Sequence, residues 1–346
     1  MSIERTDNSA GKTGCFIVAE VSANHGQSLK RAVEMIRKAK ECGADAVKFQ
    51  TYTPDTITID SDSRYFKVRH SEWKGQTLYD LYKKAYTPWE WFGELKKTAR
   101  EEGITFFSAA FDRTSVDFLE ELDVPFHKIA SFELVDLPLV EYAARTGKPL
   151  IMSTGMATEE EITEAVKTAR GAGAGEITLL KCVSAYPAVA ADMNLRAIPE
   201  MKKKYKCAVG LSDHSLGIGV AVASVALGAC MVEKHFILSK RLKTPDSFFS
   251  SDAREFRRLV DNIRTAEAAL GSACHALSAE EKRNRMFRRS LFAVREIKKG
   301  ELFTEYNIRS IRPGNGLKPG YYNKVLGKKA AKNIKRGTPL GWELVV

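Results

Sequence analysis

Eight short apolar, β-rich runs recur along this chain, and each is followed by a segment with helical spacing. They cover residues 16–22, 46–51, 105–110, 126–131, 149–154, 177–184, 207–213 and 230–236. After the first, Ser28 stands where it caps a helix with apolar or small residues at Leu29, Ala32, Val33, Ile36 and Ala39, closed by Gly43. After the fifth, Thr158 and Glu161 have capping-box spacing ahead of Ile162, Ala165, Val166 and Ala169. After the eighth, Phe256, Leu259, Val260, Ile263 and Leu270 keep the helical period. Continuously apolar strands that alternate with helices predict a parallel sheet covered on both faces. Eight repeats favour closure into a (β/α)8 TIM barrel over an open doubly wound sheet. An open sheet would more often carry a Gly-rich phosphate loop after its first strand, and this chain has none.

Two of the predicted strands end in a histidine. One runs Gly210, Leu211, Ser212, Asp213, His214, and the other Val232, Glu233, Lys234, His235, Phe236. Between them, residues 216–232 are 17 positions without a charge, enough for one buried helix and the start of the next strand. Either histidine alone reads as a satisfied rim residue; two at neighbouring strand ends share one barrel mouth, where they can hold a metal. The uncharged tract is rich in Ala and Gly and broken by Gly228, so it reads as a barrel helix running into a strand, not a membrane span.

The other strand ends are also polar, as an active face requires. They offer Glu20, Ser22 and Asn24, then Lys48 and Gln50, Ser108, Lys128, Ser131 and Glu133, Ser153 and Thr154, Lys181 and Ser184, Ser212, and Glu233. Lys48, Lys128 and the serines suit a phosphate and carboxylate cradle, with ammonium groups neutralising the anion and hydroxyls orienting it.

Charge divides the chain. The net charge is +11, yet residues 281–346 hold 17 Lys and Arg against 5 Asp and Glu, a net of +12 that leaves −1 for the first 280. A basic tail can read as nucleic-acid binding, but its positive charges are dispersed among Gly, Pro and apolar positions and form no stripe with stacking aromatics, and a basic cap over an anionic substrate explains the balance equally well. The domains are expected at 15–272 for the barrel, 273–288 for a linker and 289–346 for a compact, loop-rich β domain, with 1–14 a flexible leader. A near-repeat, Ile297 to Gly300 and Ile334 to Gly337, suggests pseudo-symmetric halves in the small domain. In it, Arg312 precedes a Pro-Gly-Asn-Gly turn that presents one guanidinium. The six cysteines show no CxxC pair or disulfide spacing, so a soluble protein of a reducing, cytoplasmic compartment is expected.

Several strings in combination resemble the sialic acid synthase family. They are Ala19 to His25, Lys128 to Glu133, Ser153 to Met156, the two histidine segments and Arg312 to Gly316. The resemblance runs from Cys15 to the C-terminus. It implies a TIM barrel followed by a domain similar to type III antifreeze protein (a SAF domain), in a homodimer where the small domain of one subunit caps the other's barrel. It implies a phosphoenolpyruvate-dependent synthase that makes nonulosonic acids from an amino sugar. His214 and His235 would hold a divalent cation, Mn, Mg or Co, that polarises the sugar aldehyde for attack by phosphoenolpyruvate. Glu20, through a water on the metal, and Glu133, in an acid/base or sugar-binding role, would be catalytic. Lys48, Lys128, Ser131, Ser153 and Ser212 match phosphoenolpyruvate-binding positions, and Gln50, Tyr186, Asp246 and a partner-chain Arg312 match sugar-side positions. Ala109 and Ala110 stand where relatives often have a hydroxyl and a proline, and Ser184 where the sialate enzymes have asparagine; Ser184 is kept as a substrate-binding candidate.

Within the family, strings at 51–55, 78–82, 87–91 and 246–250 look more like the pseudaminate branch than the N-acetylneuraminate or legionaminate branches. Its substrate is a diacetamido-trideoxy hexose, 2,4-diacetamido-2,4,6-trideoxy-β-L-altropyranose, which lacks a 6-hydroxyl; Tyr and Trp near the mouth suit so apolar a sugar. The alternatives are a sister synthase acting on N-acetylmannosamine or a legionaminate precursor, and a non-catalytic carbohydrate-binding or surface-assembly protein. No nucleic-acid or membrane partner is expected.

Overall fold

A computed structural model describes residues 5–7, 12–69 and 73–346. The chain divides into two compact units, Met1–Gly271 and Ser272–Val346. Most of the 1–14 leader expectation lies outside the described residues; within it, Arg5–Asp7 pairs antiparallel with Lys12–Gly14.

The first unit is the expected barrel. Its strands are β1 (Phe16–Glu20), β2 (Ala46–Thr51), β3 (Thr105–Ala110), β4 (His127–Ile129), β5 (Leu150–Ser153), β6 (Ile177–Cys182), β7 (Ala208–Asp213) and β8 (Met231–Ile237). Each pairs in parallel with the next, and β8 pairs with both β7 and β1, which closes the ring. A two-residue strand, β9 (Ser251–Asp252), lies along β8 outside the ring. Helices α1 (Leu29–Glu41), α2 (Phe92–Glu101), α3 (Arg113–Glu121), α4 (Leu137–Ala144), α5 (Glu159–Gly171), α6 (Ala197–Tyr205), α7 (Gly219–Ala226) and α8 (Ala253–Leu270) follow the eight strands in turn. Local chemistry starts and stops them. The Ser28 hydroxyl accepts the Arg31 amide at the start of α1, Thr158 and Glu161 close a capping box at α5, and Gly43 after α1 sits at φ +86. No helix among the described residues is long and apolar enough to cross a membrane. The uncharged tract at 216–232 becomes α7 and the start of β8.

Two apolar layers hold the barrel. Between strands and helices lies a continuous core that includes Ile36, Phe92, Leu119 and Ile263, each fully buried and each contributing about 1.5–3 kcal/mol by leaving water. Inside the ring, Val18, Ala46, Phe107, Phe126, Ile151, Leu180 and Met231 plug the end where the strands begin. Gly210 faces this plug so closely that a Cβ there would lie 2.6 Å from the Met231 carbonyl oxygen. Strand side chains alternate, so two residues beyond each plug residue the same interior face emerges toward the other end. Those next positions are Glu20, Lys48, Ala109, Lys128, Ser153, Cys182 and Glu233, with Ser212 two residues beyond Gly210. The active face is thus dictated by strand register once the plug is packed.

The second unit contains a short helix (Ala279–Asn284) in the stretch expected as a linker, then the antiparallel pair β10 (Ser290–Ala293) and β11 (Ile308–Ile311). The near-repeat has a structural meaning. Ile297 and Ile334 exchange both backbone hydrogen bonds, at 2.9 and 2.8 Å, and Gly300 and Gly337 follow them at φ +84 and +86. The Arg312 turn is anchored from below: the Ser290 hydroxyl donates to the Pro313 carbonyl at 2.7 Å and accepts the Gly316 amide at 2.8 Å. Arg312 itself is exposed.

Candidate active site

A cavity of about 360 Å³ opens where the barrel strands end, a size suited to a small-molecule substrate. Glu20, Lys48, Gln50, Lys128, Ser131, Glu133, Ser153, Tyr186, Ser212, His214, His235 and Asp246, all singled out from sequence, line it. Ser184 does not. Its hydroxyl lies 4.0 Å from Cys182 Sγ and would stand 2.1 Å from a Cβ on Gly155, so it packs under the turn after β5. Arg312 belongs to the second unit.

The floor is a buried chain of alternating charge. Glu20 Oε2 lies 3.1 Å from Lys48 Nζ, which is also 3.1 Å from Glu233 Oε1, and Glu233 Oε2 is 3.6 Å from Lys128 Nζ. Burial raises Glu20 to about 7 against the pull of Lys48. Burial likewise lowers Lys128 to about 8 despite the nearby Glu233. Glu233 lies below its ordinary range because Lys128 and Lys48 together outweigh its burial. Glu233 is the hub, a strand-end residue to which sequence reasoning gave no role. The available signal was its position two residues before His235, on the same strand face.

Hydroxyls surround this floor. Ser212 Oγ lies 3.4 Å from Glu233 Oε1, and Ser131 Oγ accepts the Gly155 amide at 3.1 Å. Ser153 Oγ is buried without a hydrogen-bond partner, as is one carboxylate oxygen of Glu133, Oε2. Buried polar atoms left unpaired are costly, and both residues line the cavity. Gln50 Nε2 donates to Glu20 Oε1 and to Ser22 Oγ, both at 2.9 Å. Ser22 holds the left-handed region (φ +44) and donates to Asp246 Oδ2 at 2.6 Å. Two other members of the first motif serve the loops: Asn24 Nδ2 donates to the Phe236 carbonyl and Ser250 Oγ, and His25 packs on Trp91.

Above the floor stand the two imidazoles, ring centroids 5.3 Å apart. The bond from His214 Nδ1 to the Val183 carbonyl at 2.9 Å requires the proton on Nδ1, which leaves Nε2 with its lone pair when the ring is neutral. Burial, with His214 and the lysines nearby, holds His235 well below its ordinary range, and its Nδ1 has no hydrogen-bond partner. The nearest carboxylate oxygen, Asp246 Oδ2, lies 3.8 Å from that nitrogen. Among the described residues no three His, Cys, Asp or Glu side chains form a closed ligand set. The two imidazoles by themselves are a partial donor set with open positions, as a catalytic metal needs.

One wall is apolar. Tyr52, Ile57, Trp73, Leu81, Tyr82 and Ala85, from β2 onward through the long loop after it, face the cavity with Phe111 and Phe249. Tyr186 stacks on His214 with centroids 4.3 Å apart, and Trp73 leans on Tyr186 at 6.0 Å.

The family model for the NeuB family matches residues 35–275, and that for the SAF domain matches residues 288–346. The chain belongs to the NeuB family. It is 47% identical over 325 residues to a pseudaminic acid synthase of Campylobacter jejuni, covering 94% of this chain and 95% of that one. It is 37% identical over 334 residues to an N,N'-diacetyllegionaminic acid synthase of Legionella pneumophila, covering 95% of this chain and 94% of that one. Among solved structures it is similar to an N-acetylneuraminic acid synthetase of Leptospira borgpetersenii, with a TM-score of 0.71 and 32% identity over 81% of this chain and 94% of that one. Ala109 and Ala110 are both fully buried at the end of β3 and neither lines the cavity.

Proposed function

We propose that this chain is a pseudaminic acid synthase. It joins C3 of phosphoenolpyruvate to the aldehyde carbon of open-chain 2,4-diacetamido-2,4,6-trideoxy-β-L-altropyranose; water adds at C2, and phosphate leaves with C–O cleavage. The observation that carries this reading is one cavity with a charged, hydroxyl-lined floor, two imidazoles and an aromatic wall. Lys48 and Lys128, with Ser131, Ser153 and Ser212, bind the phosphate and carboxylate. Gln50, Tyr186 and Asp246 face the sugar, whose methyl groups suit the wall of Tyr52, Ile57, Trp73, Leu81 and Tyr82. Ser184 acts indirectly, by holding the turn at Gly155.

His214 and His235 are the residues to hold a divalent cation, and Asp246 stands beside them. When bound, Mn²⁺, Mg²⁺ or Co²⁺ would polarise the sugar aldehyde as a Lewis acid. Charge balance favours such an ion. Two carboxylates and two ammoniums cancel across the floor. An entering phosphate and carboxylate would leave buried negative charge unless a cation came with them. Glu20 keeps Lys48 and Gln50 aimed into the cavity. Glu133 exchanges a proton with the reacting sugar, since burial raises it to about 7, where both of its forms are populated.

Phosphate release from phosphoenolpyruvate, measured with each candidate hexosamine, tests the assignment. Turnover is expected with the diacetamido-trideoxy hexose; turnover with N-acetylmannosamine alone would overturn it. If no sugar and no metal led to phosphoenolpyruvate consumption, the non-catalytic reading would stand instead.

Glu133→Gln separates chemistry from stability. In the wild type this carboxyl ionises near pH 4.5 when unfolded but about 7 when folded. Stability is therefore lost as pH rises from about 4.5 through 7, by up to about 3 kcal/mol. Glutamine does not titrate. The variant is expected to melt higher than the wild type at pH 8 and to converge with it at acid pH, while kcat falls about 10²–10⁴-fold. Equal melting at pH 8 would argue against a buried, unpaired carboxylate.

The reading includes a cytoplasmic homodimer, in which Arg312 of one copy reaches the mouth of the other. Phe132, Met156, Val189 and Leu216, on loops that follow β4, β5, β6 and β7, are each more than half exposed. Large apolar side chains gathered on one face favour a covering partner. Cys15, Cys42, Cys182, Cys207 and Cys274 form no disulfide, which suits a reducing compartment.

A further inference from the structure

Behind the two imidazoles, on the opposite face of the same strand ends, lies a buried network that contributes nothing to the cavity lining. Asp213 and Lys234 are ladder partners across β7 and β8. Each is the immediate neighbour of a histidine, and each is at most 2% exposed. Lys234 Nζ donates to Asp213 Oδ2 at 2.7 Å and to the Ser215 carbonyl at 2.7 Å. Asp213 Oδ1 accepts the Ser215 amide at 2.9 Å and the Ser215 hydroxyl at 2.6 Å. Four charge-assisted bonds thus close around Ser215, so the residues before and after His214 are both tied to the residue before His235.

A pair of hydrophobic side chains would fill this space at lower desolvation cost, because burying an ion pair seldom adds net stability. What the ion pair adds is direction. Lys234 presents its protons to two acceptors at the end of the neighbouring strand, and Asp213 uses both oxygens, so the relative height and rotation of the two strand ends are fixed. A slip of either strand end would break several of these bonds at once.

We infer that Asp213, Lys234 and Ser215 form a positioning device that sets the spacing and aim of His214 and His235, and thereby the affinity of the pair for a divalent cation. The inference rests on the reading of those histidines as metal ligands. Outer partners of metal-binding histidines typically change metal affinity about 10–100-fold when altered. Paired removal of charge, Asp213→Asn with Lys234→Met, leaves no unpaired ion in the interior.

The test is Mn²⁺ binding to the purified full-length chain, read as free Mn²⁺ by electron paramagnetic resonance, with melting temperature and the Co²⁺ ligand-field spectrum alongside. The double variant is expected to bind Mn²⁺ about 10–100-fold more weakly and to shift the Co²⁺ spectrum, with a native melting transition. Turnover at saturating Mn²⁺ should largely recover. An unchanged Mn²⁺ affinity and an unchanged Co²⁺ spectrum in the folded double variant would overturn the inference. Should that variant not fold, Ser215→Ala keeps both charges and loses one bond; a weaker Mn²⁺ affinity supports the inference, and an unchanged one overturns it. His214→Ala serves as the control on the premise. If it binds Mn²⁺ as tightly as wild type, the ligand reading fails and this inference with it.

Discussion

His214→Ala and His235→Ala are each expected to abolish turnover while the barrel stays folded. Each removes one of the two imidazoles that line the cavity among the described residues, and a Lewis acid at a developing alkoxide is worth several kcal/mol, so the loss should reach about 10³-fold or more. The structural cost is smaller. The His214 ring gives up stacking on Tyr186 and one bond to the Val183 carbonyl, for a cost of about 1–3 kcal/mol. Circular dichroism and the melting temperature will separate the two effects. Chelation of the wild type should reproduce the loss reversibly, with activity returned by Mn²⁺, Mg²⁺ or Co²⁺; the variants should not respond. Full activity after exhaustive chelation would mean that these histidines serve structure.

How much of this site could be read from sequence follows from which forces are local. Strand register is local, and a period of two fixes which residues share a face. The apolar plug therefore determined Lys48, Lys128, Ser153, Ser212 and both histidines together, and all six line the cavity. The same period places Glu233, named among the strand-end polar residues but given no role, on this face, and its neighbour Lys234 on the other. The structure supplies their partners, turning Glu233 inward to two lysines and Lys234 outward to Asp213.

Side chains beyond the strand ends were less legible. Ser184 lies two residues past β6, where the chain has left the ladder, and close packing turns it under Gly155 instead of into the cavity. Lys181, named with the strand-end polars, also misses the cavity; its ammonium donates to the Cys182 carbonyl. The aromatic wall depends on the long loop after β2, whose path is set by tertiary contacts such as Trp73 with Tyr186 and Phe248. Composition alone named the residue types there but not their contacts.

Arg312 is different in kind, because the role proposed for it depends on a second copy of the chain. Its turn is held by Ser290 through the Pro313 carbonyl and the Gly316 amide, so the guanidinium leaves a braced loop, and it is exposed. A planar guanidinium on a fixed loop suits acetamido oxygens, which accept from its fork of N–H donors. Arg312→Ala should therefore raise the sugar KM strongly and the phosphoenolpyruvate KM little. Mixed with His214→Ala subunits, it should regain activity. In a two-fold dimer with trans caps, each heterodimer has one barrel with both histidines facing an intact arginine from its neighbour. Random pairing of equal amounts makes half the dimers mixed, with one competent site in two, so about a quarter of wild-type activity is expected. The partner barrel lacks its histidine whichever arginine it meets, which caps the recovery. Verified heterodimers that stayed inactive would mean that Arg312 acts on its own chain or on neither.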